Sequence, residues 1–382
     1  EQVNFGRLRQ LVEGFAADSA EPVPFAFRPG LVGFLGYEGE AQFLLVDRAV
    51  VFDHDANVTY FIGNFEQEPD FDAWYHAALL RLALVGGERA AYRMRHDRKH
   101  RVHAISQRHS QHAYLELIDA ARAHIETGNA YQLCLTNRIS LELDADPLNV
   151  FLRLREASPA PYAAFVKLGS RAVVCSSPEQ FLKVSVDKLA TSKPIKGTRA
   201  RSDDPITDAQ NAEALRANEK ERAENLMIVD LMRNDLGRVC EPDSVQVPSL
   251  FEVESYATVH QLVSTVTGRL RPEVDAIDAI ESTFPAGSMT GAPKLRAIEL
   301  LSELEGGPRG VFSGVVGYLG ADGSADFGMV IRTIVFEKDT AYIGVGGGIM
   351  ADSEPAAEYL ETMLKAKALL EVLGAPLGKL AE

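Results

Sequence analysis

Two helical stretches carry acidic residues at a spacing that stacks them. In ANEKERAENLMIVDLMRNDLG, Glu221 and Glu224 are three apart and share one helix face, one turn apart. EPAAEYLETMLKAK repeats the device with Glu358 and Glu361, and Lys365 lies four further along on the same stripe. Carboxylates stacked in this way repel one another unless a cation lies between them. Oxygen-only ligands suit Mg²⁺, which usually takes one or two carboxylates and completes its shell with water and substrate. Either pair alone is also the pattern of a solvated helix face. Two such helices, with anion-binding features between them in the chain, favour a metal cradle.

Those features are two. In TFPAGSMTGAPKLRAIELL, Gly287, Ser288, Thr290 and Gly291 precede Pro293, which suits the first turn of a helix whose free N–H groups and positive dipole end attract a carboxylate. It is not a P-loop, because Lys294 follows Pro293 and precedes Leu295 instead of Ser or Thr. In GVGGGIM, Gly346, Gly347 and Gly348 end a strand and let backbone approach a ligand closely. Arg332 and Tyr318 on adjacent strands read as a bidentate carboxylate clamp and a phenolic donor, or simply as strand-edge residues. Finally, CSSPEQFLKV and SKPIKGTRAR place Glu179 and Lys196 beside proline-defined turns at strand ends. A glutamate protonates a leaving hydroxyl when its pKa is raised, and a lysine attacks carbon when its amine is kept neutral.

The elements that must position these groups follow from the patterning. The 382 residues, 46% hydrophobic and 24% charged, describe a soluble globular chain with a large core. A net charge of -15 argues against nucleic acid as partner, since phosphate binding needs a concentrated basic surface. Cys134, Cys175 and Cys240 are far apart with no CxxC spacing, so neither a disulfide framework nor a zinc site is expected, and a reducing cytoplasm fits. No apolar run approaches the ~20 residues of a membrane span. The chain opens at Glu1 without Met, inside what reads as structured sequence, so further residues upstream are expected.

From Gly30 to Gly63 short apolar stretches alternate with turn residues and read as antiparallel strands, followed by a helix over Asp70 to Val85. Residues 93–112, RMRHDRKHRVHAISQRHSQH, break all periodicity and read as a basic, His-rich linker. It joins a partial N-terminal lobe (1–92) to the main body (113–375). His96, His100, His103, His109 and His112 lack carboxylate or Cys at ligand spacing and read as a solvated run. Beyond it come a helix from Gln111 to Thr127, strands to Val186, one long helix from Thr207 to Leu236, and a helix opened by Pro293. An antiparallel meander over Val311 to Val345 and a last helix from Pro355 to Leu373 complete the chain. Helices and antiparallel strands alternate without a βαβ rhythm, which makes the fold α+β.

In this order the motifs resemble the chorismate-utilising enzymes, over roughly Gln111 to Leu373 with GLVGFLGYE as an upstream echo. The resemblance implies an α/β sandwich of two large antiparallel sheets flanked by helices, with Mg²⁺ on the ring carboxylate of chorismate. Glu224 and Glu361 then look like metal ligands supported by Glu221 and Glu358. Glu179 looks like the acid for the departing C4 hydroxyl, and Tyr318, Arg332, Gly346, Gly347, Gly348 and Lys365 like the enolpyruvyl carboxylate clamp. His260, Ser288 and Thr290 look like further pocket contacts. Two positions discriminate within the family. Where isochorismate and salicylate synthases use a lysine base to activate water, this chain has Gln132, which is no base. Where anthranilate synthases resemble PIAGT, this chain has PIKGT, similar to aminodeoxychorismate synthase component I, and SPAPY points the same way. The resemblance thus implies Lys196 as covalent nucleophile and 4-amino-4-deoxychorismate, the precursor of 4-aminobenzoate, as product. It also implies ammonia from a glutamine amidotransferase, as a separate subunit or fused domain. An anthranilate synthase component I and a non-catalytic chorismate-binding subunit are the alternatives.

Overall fold

The computed structural model describes residues 5–15, 23–85 and 100–375. Two large sheets dominate. The nine-stranded sheet runs in the order Ile195–Ala200, Val259–Arg269, Leu189–Lys193, Gln180–Val184, Ala325–Met329, Val315–Gly320, Gly30–Leu35, Ala41–Val46, with Gln246–Ser255 also paired to Val259–Arg269. The seven-stranded sheet runs Gly291–Ala292, Gln132–Asp144, Thr340–Ile349, Thr333–Glu337, Arg171–Ser177, Tyr162–Leu168, with Arg101–Gln107 also on Gln132–Asp144. Both are antiparallel throughout, as expected from the absence of a βαβ rhythm.

The period of two in the strands builds the layers. Along Gln132–Asp144, Leu133, Leu135, Ile139 and Leu141 join the core shared with Leu300, Leu301, Ala366 and Leu370 of the covering helices, whereas Cys134 points into the core between the sheets. The neighbouring strands split the same way: Val174, Ile334 and Ile343 face helices, and Val173, Val335 and Tyr342 face the other sheet. Helices Gln111–Glu126, Pro147–Ala157, Lys294–Glu305 and Pro355–Val372 therefore cover one face of the sandwich. Glu219–Gly237 and Ala276–Thr283 pack on the nine-stranded sheet. Their starts are written locally. Ser110, Asp146 and Asp204 each accept a backbone N–H of the first turn, the last two preceding a proline, and Asp275 and Asp278 form a reciprocal capping box.

Three expectations change. The single helix from Thr207 to Leu236 is two, Pro205–Ala217 and Glu219–Gly237. Asn218 sits between them in extended geometry (φ -69°, ψ 110°) and its side chain accepts from the Glu221 N–H, so one residue ends the first helix and caps the second. Part of the expected linker, Arg101–Gln107, is a strand on Gln132–Asp144, while 93–99, with His96, lies outside the described residues. Gly30–Leu35 of the expected first lobe pairs with Val315–Gly320, so the large sheet is built from both sides of that boundary.

A buried ion pair pins the sandwich near the site. Arg309 (1% exposed) bonds both carboxylate oxygens of Glu305 at 2.6 and 2.8 Å and donates to the carbonyls of Met289 and Cys134. Glu305 in turn accepts the Thr136 N–H at 2.9 Å. Breaking such a pair strands a buried charge. Arg309→Met is expected to destabilise the protein by about 3 kcal/mol, measured as a drop in the chemical-denaturation midpoint.

Candidate active site

Glu179 links the end of Arg171–Ser177 to the start of Gln180–Val184 and is 6% exposed. Burial pushes its carboxyl up to about 7, opposed by the nearby Lys196 ammonium, the Ser288 hydroxyl and the Ile195 backbone N–H. Three strands along the sheet, Lys196 of Ile195–Ala200 brings its Nζ to 4.0 Å from Glu224 Oε2, with both side chains 14% exposed. Acid, amine and the first glutamate pair thus share one wall.

Gly197 beside the lysine adopts φ +85°, and a Cβ there would stand 1.8 Å from Glu221 Oε2. Only glycine lets the helix carboxylate approach this strand so closely. Glu221 bonds Arg199 at 2.8 Å through one oxygen, and its other oxygen is buried without a hydrogen-bond partner. On the second helix, Glu358 accepts from Ser353 Oγ at 2.7 Å and from Lys220 at 3.3 Å, which bridges the two carboxylate helices. Glu361 pairs with Lys365 at 2.8 Å, and Lys365 also donates to the Gly346 carbonyl at 2.9 Å.

Glu221 and Glu224 lie within the field of the second helix's carboxylates. Burial raises Glu224, with Lys196 and Lys220 opposing and Glu358 and Glu361 adding to the rise. Burial likewise raises Glu221 against Arg199, with Glu361 adding. At Glu361 burial is outweighed by Lys365, Lys220 and Lys196, and the carboxyl falls below its ordinary value. Arg332 is lowered by burial and offset by Glu361, which places its guanidinium in the same field.

The glycine triplet forms the remaining wall. A Cβ on Gly347 would lie 3.5 Å from Glu358 Oε2, and one on Gly348 only 2.1 Å from Gln132 Nε2. Gln132 is 1% exposed and its Oε1 has no partner. Such an atom costs free energy unless a ligand satisfies it.

Three expected site residues have other neighbours. Tyr318 pairs with Asp326, whereas Arg332 lies three residues past Met329, the partner of Val315. The Tyr318 ring meets Phe27 edge-on at 5.0 Å, and burial with the Asp326 and Asp322 carboxylates raises its hydroxyl pKa. It therefore belongs to a different cluster from the clamp. His260 is 3% exposed with both ring nitrogens engaged, by Ser255 Oγ at 2.8 Å and Asp208 at 2.9 Å. Asp208 is itself held by Arg201, so the imidazole joins strand to helix. The Thr290 hydroxyl is fully buried and donates back to the Ala286 carbonyl, so it shapes the loop that presents Ser288. The helix after that loop begins at Lys294, with Pro293 as its cap residue. Lys294 turns to Asp235 and the Thr283 carbonyl.

Lys220, Arg199, Ser353 and Asn225 are the site neighbours that sequence reading missed. Only Lys220, four residues before Glu224 on the same helix, carried a local signal.

Among the described residues, no three His, Cys, Asp or Glu side chains already converge as a metal cluster. The four glutamates nevertheless fit a hard divalent ion. They offer only oxygen, Glu221, Glu224 and Glu358 are half-buried or buried while Glu361 is exposed at the rim, and Glu221 keeps an unpartnered oxygen.

The fold and site together define an α+β sandwich in which two helices bring paired carboxylates to a sheet-borne acid and amine. A family model described as chorismate binding enzyme matches residues 26–371, and this chain belongs to that family. An aminodeoxychorismate synthase of Streptomyces pristinaespiralis is 44% identical over 93% of this chain and 52% of its own length. Anthranilate synthase component 1 of Streptomyces coelicolor is 39% identical over 93% of this chain and 75% of its own. The crystal structure of anthranilate synthase component I from Streptococcus pneumoniae TIGR4 superposes with a TM-score of 0.81 at 31% identity, covering 95% of this chain and 85% of that one. The chain spans about half the length of the first curated relatives it matches. No helix among the described residues is long and apolar enough to cross a membrane.

Proposed function

We propose that this chain is the chorismate-aminating part of an aminodeoxychorismate synthase, converting chorismate and ammonia to 4-amino-4-deoxychorismate. The observation that carries the reading is Lys196, placed between the carboxyl of Glu179 and that of Glu224, in a site whose corresponding base position is the neutral Gln132.

The Lys196 amine adds at C2 of the ring as the C4 hydroxyl departs, taking the Glu179 proton and leaving as water. Ammonia then adds at C4 and expels the lysine from C2, so the enolpyruvyl group stays and no pyruvate forms. A Mg²⁺ held by Glu224 and Glu361, with Glu221 and Glu358 behind them, would neutralise the ring carboxylate. Arg332, Lys365 and the backbone of Gly346, Gly347 and Gly348 would hold the enolpyruvyl carboxylate, and the free Gln132 oxygen would accept from the incoming amine. Ammonia is mostly protonated at neutral pH, which is the reason to expect a glutamine amidotransferase, as a subunit or a fused domain. The three cysteines are free and buried, in keeping with a reducing compartment.

Incubation with chorismate, ammonium and Mg²⁺, followed by a lyase that releases 4-aminobenzoate, is expected to yield 4-aminobenzoate only after the lyase is added, and none when a chelator replaces Mg²⁺. Anthranilate or free pyruvate formed without the lyase would favour the second reading, an anthranilate synthase component, which the likeness to the Streptomyces coelicolor chain supports.

A further inference from the structure

The residue after Glu224 points the other way. Adjacent helix positions diverge by about 100°, so while Glu224 faces the cleft, Asn225 enters the protein and is fully buried. Its Nδ2 donates to the Pro194 carbonyl at 3.3 Å, two residues before Lys196, and its Oδ1 accepts from Ser264 Oγ at 2.5 Å. Ser264 completes the arrangement from the strand Val259–Arg269, which pairs with three others. Its backbone N–H donates to the same Pro194 carbonyl at 3.1 Å, and its Oγ accepts the Phe251 N–H at 3.0 Å.

The sheet's own ladder is interrupted beside the lysine. Pro194 separates Leu189–Lys193 from Ile195–Ala200 and has no N–H for a ladder. Pairing shifts register on both sides, between Thr191 and Lys193 and between Ile195 and Thr198. The Asn225 and Ser264 side chains supplement the single backbone bond from Ser264 to Pro194 there.

We propose that Asn225, through Ser264, is a positioning residue that fixes the rotation of the carboxylate helix relative to the lysine strand. Turning the helix by about 10° would move carboxylates some 6 Å from its axis by roughly 1 Å, and a displacement of that size near reacting groups can cost about a hundredfold in rate. The amide does not touch substrate; it acts by holding Glu224 and Lys196 in one geometry.

The proposal rests on the amination reading, so the parent enzyme is assayed beside Asn225→Ala and Ser264→Ala, the latter removing only a hydroxyl. With ammonia as donor, kcat per folded enzyme is expected to fall tenfold or more, with KM for chorismate within about threefold. The double variant is expected to be no slower than the slower single one, because both remove one unit. Labelling of Lys196 by acetic anhydride, read by peptide mass spectrometry without substrate, is expected to speed up several-fold in both variants while exposed lysines keep their rates. A lowered melting temperature with kcat and Lys196 labelling within twofold of the parent would overturn the proposal and leave Asn225 a packing residue. A parent that does not aminate chorismate removes the amination reading, and the labelling contrast still decides whether the latch exists.

Discussion

Lys196→Ala is expected to lose amination of chorismate with ammonia by about a thousandfold or more, while chorismate affinity changes little. Removing a covalent nucleophile eliminates the route itself, so the loss approaches the whole benefit of splitting one substitution into two. Affinity is kept because the groups assigned to the two substrate carboxylates, the glutamates and the Arg332, Lys365 and glycine wall, lie on other elements. The measurements are turnover with ammonium as donor and chorismate binding by calorimetry. A variant as fast as the parent would reduce Lys196 to a shaping role. Lys196→Arg is expected to be as inactive as the alanine variant, since a guanidinium restores charge without a usable lone pair.

Glu179→Gln is expected to lower kcat by about two to four orders of magnitude, the range of a lost general acid. The pH dependence carries the sign. The reaction needs the protonated carboxyl, whose pKa is pushed up to about 7 by burial, so the parent's rate is expected to decline as pH rises through 7. That limb should be absent from the residual activity of the glutamine variant. Stability moves in the same direction. An unfolded glutamate ionises near 4.3, so between that pH and 7 the folded state binds the extra proton and the parent loses stability as pH rises. Glu179→Gln is expected to escape this loss, which unfolding at pH 5 and pH 8 will show. A flat kcat profile in the parent across pH 6 to 8 would remove Glu179 from the acid role.

Local sequence rules reach some of the candidate residues and not others. Glu221, Glu224, Glu358 and Glu361 were legible because three-residue spacing on a helix is a local rule, and the two helices then needed only to face one cleft. Glu179, Lys196, Gln132 and the glycines joined them through motif order, which carries the topology implicitly. Tyr318 lies apart from Arg332 because the end of a strand on which a residue lies depends on register with Ala325–Met329, and no local pattern states register. His260 and Thr290 are oriented by partners, Asp208, Ser255 and Ala286, that no local pattern names. The strand Arg101–Gln107 was hidden by composition. It is an edge strand with a register shift between Val102 and Ala104, so its polar, irregular sequence looks like linker. The break at Asn218 was readable in retrospect, since Asn218 followed three residues later by Glu221 is a cap signature.

That break sets the polarity of the backbone beneath the acidic cluster. In one uninterrupted helix Glu221 would lie some four turns in, where the axial field has faded. With the chain restarting at Glu219, Glu221 falls in the first turn, and Glu358 falls in the first turn of Pro355–Val372. Two helices thus aim their positive ends at the same cleft, each easing the crowding of negative charge by about 0.3–1 kcal/mol per first-turn carboxylate. An asparagine that interrupts a helix therefore lets the peptide dipoles themselves share the work of keeping like charges together.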